Sequence, residues 1–104
     1  MPGTVASPQP QVHVRGPIPA AQVDYARTKV AAAFRTAPRP VLFVRLTIER
    51  LTDQNPGRLY TVRVHADVSG VDLHARATAP TVTEAVDLAQ GRLRAQLART
   101  SRWR

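Results

Sequence analysis

The chain has 104 residues, with 15 Lys and Arg against 7 Asp and Glu, for a formal net charge of +8. That length supports one small domain with a modest core, and so large an excess of cations points to a polyanionic partner, since net charge governs association and not fold. There is no cysteine, which excludes disulfides and thiol chemistry and makes a cytoplasmic setting the expectation; no apolar run approaches the roughly 20 residues that cross a membrane.

Every basic residue except Lys29 is arginine. An Arg-rich genome also produces that pattern, but such a bias leaves the scarcity of acids unexplained. Residues 1–10, "MPGTVASPQP", lack the basic start and apolar stretch of a secretory signal and read as a disordered lead-in. Residues 11–15, "QVHVR", alternate as a short strand with Val12 and Val14 inward, and Gly16 and Pro17 end it. From Pro19 to about Thr36 the apolar residues Val23, Ala26, Val30, Ala33 and Phe34 fall at helical spacing, with Asp24, Arg27, Thr28 and Arg35 off that stripe. The "APRP" at 37–40 stops this first helix, because proline disfavours helix at the residue before it.

Three strands follow. In residues 41–51, Val44, Leu46 and Ile48 face one side, and Arg45, Thr47 and Glu49 the other. "TDQNPG" is a turn by composition. In 59–68, Tyr60, Val62, Val64, Ala66 and Val68 point inward and Thr61, Arg63, His65 and Asp67 outward. Ser69-Gly70 suits a tight hairpin turn. In 71–79, Val71, Leu73, Ala75 and Ala77 oppose Asp72, His74, Arg76 and Thr78. A two-residue loop sets His65 opposite His74 and Asp67 opposite Asp72. The last helix is capped by Thr81 or Thr83 and buries Val82, Ala85, Val86, Ala89, Leu93 and Leu97, with Gly91 costing about 1 kcal/mol relative to Ala if exposed.

The expected fold is therefore α+β, in the order β-α-β-β-β-α. Its four-stranded mixed sheet is covered on one face by two helices and open on the other, and the first two strands pair in parallel through a right-handed crossover. Residues 11–100 form this domain, and 101–104, "SRWR", a basic tail that suits the start of a linker.

The chemistry narrows by elimination. No Gly-x-Ser-x-Gly, phosphate-cradling glycine loop or pair of carboxylates in a recognisable pocket sequence is present, so neither an enzyme, a cofactor nor a small-molecule substrate is expected. No metal site is expected either. The nearest approach to one is the hairpin set His65, Asp67, Asp72 and His74, which no sequence-local ligand motif supports. What remains is basic surface: Arg27 and Lys29 toward the exposed flank of the first helix, and Arg92, Arg94, Arg99, Arg102 and Arg104 toward the end of the second. Cations at a helix C-terminus gain a few tenths to about 1 kcal/mol from the macrodipole. That effect does not require five arginines, whereas sequence-independent phosphate binding uses such a surface; Trp103 beside it suits either stacking on a base or simple packing.

The stretch from Leu73 to Arg99, "LHARATAPTVTEAVDLAQGRLRAQLAR", resembles the ribosome hibernation-promoting and ribosome-associated inhibitor family, also called the sigma-54 modulation protein family. The family pattern is Leu-x-Ala-x-Ala, a short acidic link, Ala-Ile-Asp-Leu-Ala, then Lys-Leu-Glu-Arg-Gln-Leu; Ala85 to Ala89 and Arg92 to Leu97 stand in the last two places. "VHVRG" and "DYARTKV" are similar to its first strand and first helix. The resemblance implies a fold like double-stranded-RNA-binding domains with an added strand. It also implies a stress-induced, dormancy-linked translation inhibitor that binds ribosomal RNA of the small ribosomal subunit in the mRNA and tRNA channel, using basic residues of both helices. Lys29, Arg92 and Arg99 match basic family positions; Ala32 and Ala95 stand where basic residues are usual, and Arg94 where Glu is. Long members add a dimerisation domain after this one, so the chain alone is expected to be a monomer. The competing expectation is a protein-interaction or dimerisation module that uses the open sheet face.

Overall fold

The structure is a computed structural model and describes residues 9–35, 37, 39–52 and 59–100. It runs β1 (Gln11–Arg15), α1 (Ala20–Phe34), β2 (Val41–Arg50), β3 (Tyr60–Val68), β4 (Val71–Ala79) and α2 (Val82–Thr100), as the periodicity anticipates. The sheet order is β1-β2-β3-β4. β1 lies parallel to β2, with Gln11 beside Arg45 and Arg15 beside Glu49, while the other neighbours are antiparallel. Most of the "TDQNPG" turn and the tail at 101–104 lie outside the described residues.

Local chemistry sets the joints. After β1, Gly16 has φ +89°, and a Cβ there would stand 3.0 Å from the Arg50 Cβ, so any other residue would be strained where the chain leaves the sheet. α1 starts at Ala20, one residue later than Pro19, because Pro19 keeps an extended ψ of 143° and offers no capping side chain. Its carbonyl accepts the N–H groups of Gln22 and Val23 instead. At the β3–β4 turn, Ser69 and Gly70 both have positive φ (52° and 86°), the pair of left-handed residues that matches the strand twist. The Asp67 carboxylate accepts the Gly70 N–H at 2.7 Å. Thr81 caps α2, its hydroxyl accepting the Glu84 N–H at 3.1 Å.

The core lies between one sheet face and the helices. Val44, Leu46 and Ile48 of β2, Val62, Val64, Ala66 and Val68 of β3, and Leu73, Ala75, Ala77 and Ala79 of β4 meet Ala26, Val30, Ala33 and Phe34 of α1 and the whole expected stripe of α2. α2 lies over β4 and β3, with α1 beside it next to β2; the alanines on β4 and on α2 permit a close helix-to-sheet approach. Leu93 is fully buried, and burial of such a side chain contributes about 1.5–3 kcal/mol.

Three residues depart from the alternation. Val14 has inward parity yet is 42% exposed, because β1 is an edge strand and the helices cover β2 to β4. Leu42 is 60% exposed at the irregularity between Val41 and Phe43. Thr61, expected outward, is 1% exposed, with its hydroxyl 3.1 Å from that of Thr78 on the neighbouring strand.

Candidate nucleic-acid interface

α2 divides its arginines between two flanks. At about 100° per residue, Arg92 and Arg99 share one stripe, two turns apart, and Arg94 points about 200° away from Arg92. The three residues expected to act together are therefore a pair and a separate cation. The pair lies on the β4 side of the helix, where the Arg92 guanidinium donates to the backbone carbonyl of Arg76. One turn on, the Gln96 carboxamide donates to the carbonyl of His74 and accepts the His74 N–H at 3.3 Å. β4 is the outer strand of the sheet, so these side chains cover backbone groups that would otherwise offer themselves to another strand. Arg94 is exposed and makes no ion pair among the described residues. Arg99 lies in the last turn of α2, where the dipole favours a cation.

The α1 cations are more constrained than their off-stripe positions suggest. Arg27 pairs with Asp24 at 2.9 Å on its own helix. Lys29 sits at the seam between the helices, 3.8 Å from the Asp87 carboxylate and 5.8 Å from the Tyr25 ring centre; its backbone carbonyl accepts the Gln90 side chain at 2.7 Å. The same Asp87 oxygen accepts the Tyr25 hydroxyl at 2.6 Å. This hydrogen bond, together with desolvation and the carboxylate charge, holds the Tyr25 phenol above its ordinary pKa. Asp87 thus ties α2 to α1, a role that its place in the first half of the helix does not suggest. Arg102 lies outside the described residues.

On the open face, strand register aligns Arg45, His65 and His74 in one row and Thr47, Arg63 and Arg76 in the next. The two imidazoles stack with centres 4.2 Å apart and planes 8° from parallel. Phe43 meets His65 edge-on at 5.0 Å, and Arg45 lies over Phe43 at 5.8 Å. Together with Thr47, Arg63 and Arg76 these rows line a shallow depression of about 290 Å³. The Asp72 carboxylate lies 3.3 Å from His65 Nε2, and His65, Asp72 and His74 bring ligand atoms within 4.8 Å of one another. Asp67 is not among them, being held by the hairpin turn. Near-parallel rings direct their in-plane lone pairs side by side and not toward one point, and Arg45 stands in the same row, so the surroundings suit an anion better than a divalent cation. Alternation places Arg45, Arg63 and Arg76 on this face but does not bring all three together. The Ser69-Gly70 turn already sets Arg63 against Arg76, whereas Arg45 joins them only once the β2–β3 register is known.

Among the described residues, no helix is long and apolar enough to cross a membrane. The model of a family described as sigma 54 modulation protein / S30EA ribosomal protein matches residues 11–103. Among solved structures, the chain is similar to the N-terminal domain of Thermus thermophilus Protein Y, with a TM-score of 0.68, 21% identity, and coverage of 86% of this chain and 94% of that one. It is also similar to a ribosomal subunit interface protein from Coxiella burnetii, with a TM-score of 0.71, 16% identity, and coverage of 88% and 94%. No curated protein matches it by sequence.

Proposed function

Because the chain belongs to the sigma 54 modulation protein / S30EA ribosomal protein family, we propose that it is a ribosome-associated translation inhibitor of the hibernation type. In this reading it binds RNA of the small ribosomal subunit in the channel used by mRNA and tRNA. It acts in the cytoplasm under stress, by occupancy and without a chemical step. The observation that carries the reading is the family match over residues 11–103, and the net charge of +8 supports an RNA partner. The Arg92–Arg99 stripe of α2 is the surface we assign to phosphate contacts, with Arg94, Arg27, Lys29 and Arg102 adding to the local positive potential. The Arg27–Asp24 and Lys29–Asp87 pairs are partly exposed, and such surface pairs contribute about 0–1 kcal/mol, so exchanging either carboxylate for a phosphate is inexpensive.

A protein-interaction module using the open face is the poorer reading. Among the described residues, the exposed large apolar side chains, Val14, Leu42 and Leu88, sit on three different elements, and the middle of the open face is cationic. A following dimerisation domain remains part of the proposal for the full reading frame. The test is co-sedimentation with purified small subunits across a salt series. Binding should weaken steeply with salt, and Arg92→Gln/Arg99→Gln should lower the slope of log K against log salt by about 0.7–0.9 per lost phosphate contact. A double variant that pellets like the wild type would remove the helix assignment. A wild-type chain that stays in the supernatant at low salt would remove the ribosomal reading.

A further inference from the structure

The cationic centre of the open sheet face has no part in the helix-based contacts above. Arg63 and Arg76 are direct cross-strand partners, and like charges in that position destabilise a sheet. Arg45 adds a third guanidinium one row away. All three are exposed, and none has an ion pair among the described residues. The acids stand at the margins. Asp67 and Asp72 occupy the hairpin end, engaged with Gly70 and His65, and Glu49 lies beside Arg15 on β1. A surface that tolerates this repulsion, with no carboxylate paired to any of the three guanidinium groups among the described residues, is complementary to a polyanion. Beside Arg45 lie the stacked His65 and His74 rings, with Phe43 edge-on to His65, so this aromatic floor has Arg45 at one end and Arg63 and Arg76 along one side, with Asp67 and Asp72 along the other.

We propose that the open face binds single-stranded RNA, with Arg45, Arg63 and Arg76 on successive phosphates and an unpaired base stacking on the exposed His74 ring, which His65 and Phe43 support from behind. The choice of RNA among polyanions rests on the ribosomal reading above. The choice of single strand rests on the aromatic floor, because bases buried in a duplex cannot stack on it, whereas unpaired bases stack on aromatic side chains within basic grooves.

The experiment is fluorescence anisotropy with a labelled ten-nucleotide oligouridine across a salt series at pH 8. Arg45→Gln/Arg63→Gln/Arg76→Gln should weaken binding by about tenfold or more and reduce the salt slope by about 2, at 0.7 per phosphate on a single strand. His74→Ala should weaken binding by about tenfold with an unchanged slope, as expected for loss of stacking and not of charge. All four side chains are partly or largely exposed, and thermal melts of each variant verify the fold. Wild-type affinity and slope in the triple variant would overturn the proposal, as would equal competition by an RNA duplex of the same length. Failure here with subunit co-sedimentation intact removes this surface alone. Oligonucleotide binding through this face without co-sedimentation sustains the surface and removes the ribosomal reading.

Discussion

Replacing Gln96 with Ala tests how much the fold depends on covering its outer strand. The Gln96 carboxamide holds both backbone groups of His74, one of them at 3.3 Å. A neutral hydrogen bond contributes about 0.5–1.5 kcal/mol net. The N–H contact is long and water can reach the edge after truncation, so the pair together sits near 1–1.5 kcal/mol on that scale. Alanine recovers a few tenths of a kcal/mol in helix propensity. The expected loss is about 1 kcal/mol, or about 4–8 °C in Tm for a domain of this size, read by circular dichroism. Gln96→Glu keeps an acceptor for the N–H but sets a carboxylate against the His74 carbonyl, so it should melt below the alanine variant. Light scattering should also show more self-association of both variants as concentration rises, since an uncovered strand edge pairs with its copies. An alanine variant as stable as the wild type, with glutamate no worse, would refute the view that this contact contributes to stability.

Two further outcomes follow from the same reasoning. Gly91 lies in the interior of α2, is exposed, and has nothing within 4 Å of where a Cβ would stand; Gly91→Ala should stabilise by about 0.5–1 kcal/mol, and a lower Tm would show a constraint that the geometry lacks. The Tyr25 phenol is raised above 10.0 by its hydrogen bond to Asp87, with smaller effects from desolvation and charge. Its neutral form is therefore the one the fold favours, so its contribution is complete below the ordinary tyrosine pKa and is lost as pH rises through the folded value. Urea midpoints at about pH 8 and about pH 10.5 should fall less with pH in Tyr25→Phe than in the wild type; equal falls would remove the linkage.

The strand register was legible because Ser69-Gly70 is a two-residue turn between alternating runs, and once it is placed His65 must face His74. The helix stripes were legible for a similar reason: Ala26, Val30, Ala85 and Leu93 repeat at the period of a helix and all are buried. Side-chain contacts between distant segments were not. Asp87 reads as an acid favoured near a helix start, and only the packing of α1 against α2 brings Tyr25 and Lys29 to it. Gln96 carries no motif, and its partner is backbone, which every residue possesses. Arg92, Arg94 and Arg99 are close along the chain, but at about 100° per residue Arg94 stands apart from the other two. Alternation within each strand puts the arginines on the open face one strand at a time, and their joint effect appears only across strands.

The bond from Arg92 to the Arg76 carbonyl also has a consequence for binding entropy. An arginine side chain carries about 2 kcal/mol of rotamer freedom, and immobilising such a chain at an interface subtracts from affinity. Arg92 gives up part of that freedom when the domain folds, because α2 and β4 already hold its guanidinium. Arg99, on the same stripe, has no such anchor among the described residues, so in the proposed phosphate contact it would surrender its freedom only on binding. Two chemically identical cations on one helix therefore differ in readiness, Arg92 as a fixed point of reference and Arg99 as an adjustable arm.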